Sequence, residues 1–267
     1  MNYNSQSKES RSKKANSWVK KMNELHSTEI KESVKNSILY PIKSSIHIDD
    51  NINNINTSID IRGDLDSVSA IFEYKRRYNS IAILNFASYK HPGGGFLAGA
   101  IAQEECLCQE SNLYNILIQF KEKFYEPNQK RLNKGLYNNN LIYTPNVLFF
   151  KNNKTLTCDV ITCAAPNKKV AKEYHNVSDN IIYKVMEDRI DHILYSAYKN
   201  RVDCLILGAF GCGVFFNDPK DVATIFKNLL EIKYNKTFKK VVFAIPNQNR
   251  NNNNYKIFYN VFKNINK

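Results

Sequence analysis

No stretch of the 267-residue chain holds the roughly 18 consecutive apolar residues that a membrane-crossing helix needs, and Met1 to Trp18 lack the apolar centre of a secretory signal. Both absences point to a protein that works inside a cell, in the cytoplasm, or in the nucleus if the source is eukaryotic. A disulfide framework is missing too. The six cysteines (Cys106, Cys108, Cys158, Cys163, Cys204, Cys212) lie in segments that read as core or glycine loop, without even spacing, which favours reduced thiols. Neither Cys106/Cys108 nor Cys158/Cys163 has zinc spacing, and the five histidines are scattered, so no metal and no cofactor is expected. There is no G-x-G-x-x-G fingerprint and no G-K-[ST] after a glycine run, which removes the dinucleotide and P-loop folds. Zinc-finger, RNA-recognition and leucine-zipper patterns are absent as well, and with them the case for sequence-specific nucleic-acid binding. The charge of +13, from 38 basic and 25 acidic residues, favours anionic partners in general. It is matched by a bias toward Asn, Lys, Ile and Tyr that needs no binding function to explain it.

What is present is enough apolar material, 43% of residues, for a sizeable core. The first dozen residues read as a polar, mobile arm, and Ser17 to Asn36 as an amphipathic helix carrying Val19, Met22, Leu25, Ile30 and Val34 inward. Ile46 with Ile48, and Ile59 with Ile61, alternate like two short strands around an Asn-rich link. Asp66 is placed to cap a helix bearing Val68, Ile71, Phe72 and Tyr78. The run 81–87 reads as a buried strand. Helical spacing covers 103–124, with Pro127 as its stop, and 135–140 reads as an exposed loop. Strands follow at 141–143, 147–150 and 160–165. A helix carries Ile182, Met186, Ile190, Ile193 and Ala197, and a strand spans 204–207. Asp218-Pro219 opens another helix, 241–245 is the last strand, and a helix near 255–265 closes the chain. With no repeat and no linker rich in Pro, Gly or Ser, this is one α/β domain of mixed sheet with helices on both faces.

Two glycine-rich loops follow candidate strands, the place where open α/β sheets bind ligands. Gly93-Gly94-Gly95 exposes backbone N–H groups that suit a phosphate, or it is simply a turn. Gln103, Glu104 and Glu105 come next, at the start of a helical pattern. Carboxylates in a first turn are favoured by the helix dipole and need do nothing more. Beside a bound diphosphate, however, negative surroundings can raise a pKa and keep one of the pair protonated for acid catalysis. The second loop runs from Gly208 through Gly211, Cys212, Gly213 and Val214 to Phe215. Its aromatic residues, Phe210 included, call for an apolar partner such as a ribose or adenine face. With no paired histidine, Cys212 reads as a small packing residue.

These residues resemble a known signature. Leu84-Asn85-Phe86-Ala87-Ser88, Pro92 to Phe96, and Gln103-Glu104-Glu105 after a seven-residue spacer closely match the microbial-type poly(ADP-ribose) glycohydrolases, a catalytic branch of the macrodomain superfamily. The blocks 143–147, 160–167, 207–215, 217–219 and 242–245 continue the likeness in order, over roughly residues 17 to 265. The resemblance implies a macrodomain-like three-layer α/β/α sandwich with a mixed central sheet and an N-terminal helical extension. Residues 1–16 would be the polar, mobile N-terminus and 17–267 a single domain.

The activity implied is hydrolysis of ribose–ribose O-glycosidic bonds in poly(ADP-ribose), releasing ADP-ribose from chain ends. The implied partners are poly(ADP-ribose), ADP-ribose and ADP-ribosylated proteins as carriers, with no membrane; the chain is expected to act as a monomer. By position, Gly93, Gly94 and Gly95 would line the distal ribose and diphosphate, and Glu105 would be the acid/base. Glu104 would hold the ribose across the scissile bond, with Gln103 supporting the pair. Gly211, Cys212, Gly213 and Val214 would form the second diphosphate loop, and Phe215 would press on the terminal ribose. Ser88 stands where many macrodomains carry Asn. Asn-rich stretches at 50–57 and 247–254 would shape the rim. The rival activities are a non-catalytic ADP-ribose reader and a hydrolase of mono-ADP-ribosylated protein or nucleic acid.

Overall fold

The computed structural model describes residues 6–41, 56–247 and 253–263. Its strands are β1 (Ile38–Tyr40), β2 (Ser58–Arg62), β3 (Ile81–Phe86), β4 (Leu141–Lys151), β5 (Lys154–Cys163), β6 (Cys204–Leu207) and β7 (Lys240–Ala244). They form one sheet in the order β1-β4-β5-β3-β6-β7-β2. From β2 to β5 the neighbours are parallel, and β4 and β1 complete the far edge antiparallel. All loops after the parallel strands therefore open on one edge, the ligand edge of such sheets.

Helices are α1 (Lys8–Leu25), α2 (Ser27–Asn36), α3 (Ser67–Tyr74), α4 (Gln103–Gln109), α5 (Leu113–Leu117), α6 (Glu126–Lys130), α7 (Lys168–His175), α8 (Asp179–Lys199), α9 (Pro219–Asn228) and α10 (Asn254–Phe262). Strand parity sorts the core into two layers. Ile81, Ile83, Cys204, Ile206 and Val242 face a cluster with α1 to α5. Their neighbours Ala82, Leu84, Leu205, Leu207 and Phe243 face α8, α9 and α10. Because both sheet faces are covered, the parallel strands read as unbroken apolar runs, which is why β3, β6 and β7 were legible. The macrodomain-like α/β/α sandwich expected from the sequence is the observed architecture.

Several local expectations are corrected. The N-terminal helix starts at Lys8, inside the segment expected to be a mobile arm, and Arg11 Nε donates to Gly99 O at 2.8 Å. It breaks at His26 into α1 and α2, leaving Leu25 62% exposed instead of in the core. The helix expected over 103–124 is also broken. Residues 110–112 pair with β4 instead, through Phe150 N to Glu110 O (2.8 Å) and Asn112 N to Leu148 O (3.1 Å). Pro127 opens α6 and does not stop a helix, since a first-turn proline lacks only an N–H that would have been unpaired. The supposed loop at 135–140 is packed: Gly135 and Leu136 are buried, and Asn167 N donates to Gly135 O at 2.8 Å. The strands at 141–143 and 147–150 are one strand, β4, with a bulge between Thr144 and Val147. Polar α7 and the short, half-exposed edge strand β1 had no readable pattern. The Ile46/Ile48 strand and most of both Asn-rich stretches lie outside the described residues.

Candidate active site

The site forms where β3 ends. Beyond Phe86 the chain turns through Ser88 to Gly93–Gly95, makes a tight turn at Phe96–Ala98, and re-enters as α4 with both glutamates in its first turn. Gln103 ties that turn to the strand. Its Nε2 donates to Leu84 O (2.8 Å) and its Oε1 accepts from Phe86 N (2.9 Å), so one side chain reads the strand edge as a backbone partner would. A helix start is thereby fixed against a strand end, and the glutamates inherit that rigidity.

Glu104 is buried. Its Oε2 accepts from Ser88 N at 2.6 Å and its Oε1 from Asn85 Nδ2 at 3.2 Å. Burial pushes its pKa up to about 8, with the Glu105 charge adding to the rise and the hydrogen bonds opposing it. Glu105 is also buried, and Gly95 N donates to its Oε1 at 2.8 Å. Its Oε2 is buried and has no hydrogen-bond partner among the described residues. A buried acceptor left unpaired costs free energy, and a ligand donor would remove that cost.

Gly94, at φ +59°, shows why this position has no side chain: a Cβ would stand 2.5 Å from Glu105 Oε1 and 3.0 Å from Glu104 Oε2. The backbone approaches the carboxylates as closely as glycine permits.

The second loop, after β6, packs through aromatic contacts on the end of β3 and on Tyr137, ahead of β4. Phe210 is fully buried and packs edge-on against Phe86, ring centroids 5.6 Å apart. Its apolar partner is thus the protein's own core, which corrects the expectation of a ribose or adenine partner at this residue. Phe215 is half-buried, 6.1 Å from the ring of Tyr137. At the tip, Val214 is 77% exposed and a Cβ on Gly213 would meet nothing within 4 Å. Gly211, at φ +73°, is closed in by Ala165 and Asn217. Burial pushes the Cys212 thiol well above its ordinary value, which fits a packing residue and disfavours a nucleophilic thiolate.

Ser88 lies beside Glu104, offering its backbone N–H inward while its Oγ accepts from His91 N at 3.2 Å. Ser88, Gly93–Gly95 and Gln103–Glu105 are therefore one hydrogen-bonded unit, and Gly211–Phe215 face the same sheet edge from β6. Among the described residues no group of three or more His, Cys, Asp or Glu could hold a metal ion. No helix among them is long and apolar enough to cross a membrane.

Residues 10–152 match the model of the microbial-type PARG catalytic domain. The chain belongs to that family. Among solved structures it is similar to the poly(ADP-ribose) glycohydrolase (PARG) of Thermomonospora curvata, with 28% identity and a TM-score of 0.82 over 95% of this chain and 100% of that one. The same enzyme bound to the inhibitor ADP-HPD gives a TM-score of 0.81 at 28% identity, over 94% and 99% of the two chains. The Deinococcus radiodurans PARG in complex with ADP-ribose gives 0.78 at 26% identity, over 88% and 97%. No curated protein sequence matches the chain.

Two residues packed at the candidate site were not singled out from the sequence. Asn85 was read as part of a strand and of the signature block but given no role at the site, yet parity turns it with Ile81 and Ile83 toward α4, where it meets Glu104. A lone amide in an apolar run was the available signal. Tyr137 came from the segment taken for an exposed loop, and no sequence pattern connects it to Phe215.

Proposed function

We propose that the protein hydrolyses ribose–ribose O-glycosidic bonds in poly(ADP-ribose), releasing ADP-ribose from chain ends. One observation carries the mechanism: Glu105 has one oxygen pinned by Gly95 N–H and the other buried without a partner, beside a triple-glycine loop. The free oxygen is the one able to meet the substrate. In its acid form Glu105 donates a proton to the leaving ribose hydroxyl as the C–O bond breaks and an oxocarbenium-like centre develops. As a carboxylate it then takes a proton from the attacking water. Substrate diphosphate nearby stabilises the positive centre electrostatically.

Glu104, with both oxygens already accepting hydrogen bonds, is a holding group for the ribose across the scissile bond. Gln103 supports the pair. Gly93–Gly95, Ser88 and Gly211–Val214 supply the walls for distal ribose and diphosphate, and Phe215 holds the terminal ribose. The chain acts as a single domain that takes in α1 from Lys8, monomeric and cytoplasmic, with ADP-ribosylated proteins as carriers of the polymer.

The test is to incubate the protein with poly(ADP-ribose) and, separately, with a mono-ADP-ribosylated protein, and to identify the products. Free ADP-ribose from the polymer is expected. Glu105→Gln should keep ADP-ribose affinity and lose turnover by about 10²–10⁴-fold, the usual worth of general acid–base catalysis. Release at near wild-type rate by this variant would overturn the assignment.

A further inference from the structure

The fold spends unusual effort on Tyr137. Its backbone sits at φ +63°, a region costly for a residue with a side chain. Three elements hold it there. Tyr137 N donates to Leu132 O (3.2 Å), while Asn133 Nδ2 donates to Tyr137 O (3.2 Å). From α8, fully buried Arg189 donates through Nη2 to Leu136 O (3.0 Å) and through Nη1 to Ala164 O. Among the described residues no carboxylate forms an ion pair with this arginine, and its Nε has no partner. A buried guanidinium used only to grip two carbonyls is expensive, so the segment it fixes is over-determined.

The ring so placed joins the two loops of the site. One face of Tyr137 stacks on Tyr89 at 3.9 Å and 12°. Tyr89 is itself buried and anchored by its hydroxyl to Arg131 O at 2.7 Å. Tyr89 follows Ser88, whose N–H holds Glu104. On the other side, Tyr137 stands at 6.1 Å and 63° to Phe215, an edge-to-face arrangement. Phe215 lies partly buried against the core below an exposed loop tip, and Tyr137 is the aromatic neighbour on its ring.

We propose that Tyr137 is a positioning residue for the reaction: stacked on Tyr89 and edge-on to Phe215, it sets where the Phe215 ring meets the terminal ribose relative to the glutamates. This rests on the reading of Phe215 given above. The hydroxyl of Tyr137 hydrogen-bonds the Asn167 side chain, but both contacts that reach the site loops are made by the ring, and the ring is what sets Phe215. Tyr89 keeps its own anchor on Arg131 O when the Tyr137 ring is removed, so the loss is felt at Phe215 and the two residues form one unit.

The experiment is a double-variant cycle on kcat for poly(ADP-ribose), with ADP-ribose affinity and melting temperature measured on the same samples. Wild-type turnover is the first arm; its absence would overturn the functional reading and this inference together. Given turnover, Tyr137→Leu should lower kcat by about tenfold or more, within the ~10²-fold that a misplacement of about 1 Å can cost. ADP-ribose affinity should change far less, and Tyr137→Phe should restore wild-type kcat. In a Phe215→Ala background, Tyr137→Leu should add no further loss. Tyr137→Met, which fills the space without a flat ring, serves the same comparison if the leucine variant does not fold. Multiplying losses, or a Tyr137→Phe variant as poor as Tyr137→Leu, would overturn the inference while leaving the function standing.

Discussion

Replacing Glu104 by Gln should stabilise the protein, increasingly so as pH rises, while damaging turnover. Burial holds the Glu104 pKa up near 8, against an ordinary value of 4.5 in an unfolded chain. Below about pH 4.5 both states carry the proton, and the group costs nothing. Between there and pH 8 the unfolded chain releases its proton while the folded protein keeps it, so stability falls as pH rises. Above pH 8 the folded carboxyl ionises too and the loss levels off. Each unit of pKa is worth about 1.4 kcal/mol, which sets a ceiling of about 5 kcal/mol on the burden in alkaline solution. Glutamine is never charged, and it can keep the local bonds. Its oxygen can accept from Ser88 N, and once the Asn85 amide turns over, its own amide can donate to Asn85 Oδ1 in place of the bond from Asn85 Nδ2. Exchanging charge-assisted bonds for neutral ones gives back about 1–2 kcal/mol. A net gain of about 3–4 kcal/mol near pH 9 corresponds to a melting temperature roughly 6–16 °C above wild type, at about 2–4 °C per kcal/mol. Near pH 5 the two proteins should melt within about 2 °C of each other by the same conversion. Thermal melts of both proteins across this range test the argument. A difference that is constant with pH, or one that turns against the glutamine variant as pH rises, would refute it.

Two further comparisons probe the loops. Gly94→Ala, which drives a Cβ into both carboxylates from a backbone at φ +59°, should lose turnover and lower the melting temperature. Gly213→Ala, whose Cβ meets nothing within 4 Å, should melt as wild type does; a comparable loss of stability in both variants would show that crowding at the glutamates is not what excludes a side chain. Phe215→Ala should lower turnover more than ADP-ribose affinity and leave the melting temperature close to wild type. A loss of about 3–5 kcal/mol of stability, as for a core phenylalanine, with unchanged activity per folded molecule would reject its role at the ribose.

The central sheet and the first loop were legible because their physics is local. Buried parallel strands show as apolar runs, and Asp66 announces α3 because its side chain accepts from Ser69 N at 2.6 Å within its own turn. Helix breaks were illegible for the opposite reason. Leu107, Leu113 and Ile116 keep helical spacing across a gap that exists only because residues 110–112 find hydrogen bonds on β4. The site divides the same way. Gln103, Glu104 and Glu105 lie on one short segment and could be read together, whereas Asn85 meets Glu104 between β3 and the helix packed on it, and Tyr137 reaches Phe215 from a segment that looks polar and loose. Phe210 shows the limit of reasoning by composition: an aromatic residue in a glycine loop does need a partner, and here Phe86 supplies it.

The two glutamates differ by what their neighbours leave undone. Glu104 lies under the strand edge, where Ser88 N–H and the Asn85 amide occupy its oxygens and burial keeps its proton on up to about pH 8. At neutral pH it is therefore a mostly neutral group, which spares the site its full charge beside an incoming diphosphate. Glu105 has one oxygen tied to the glycine loop and one buried oxygen untied. The tie matters as much as the freedom. A catalytic acid must stay within a few tenths of an ångström of its target, and Gly95 N–H fixes the carboxyl plane before any substrate arrives. Because Gly94 brings the backbone against both carboxyls, the loop that would cradle the diphosphate and the group that would protonate the ribose are parts of one rigid body. A substrate held by that loop would then present its scissile bond at a fixed place relative to Glu105.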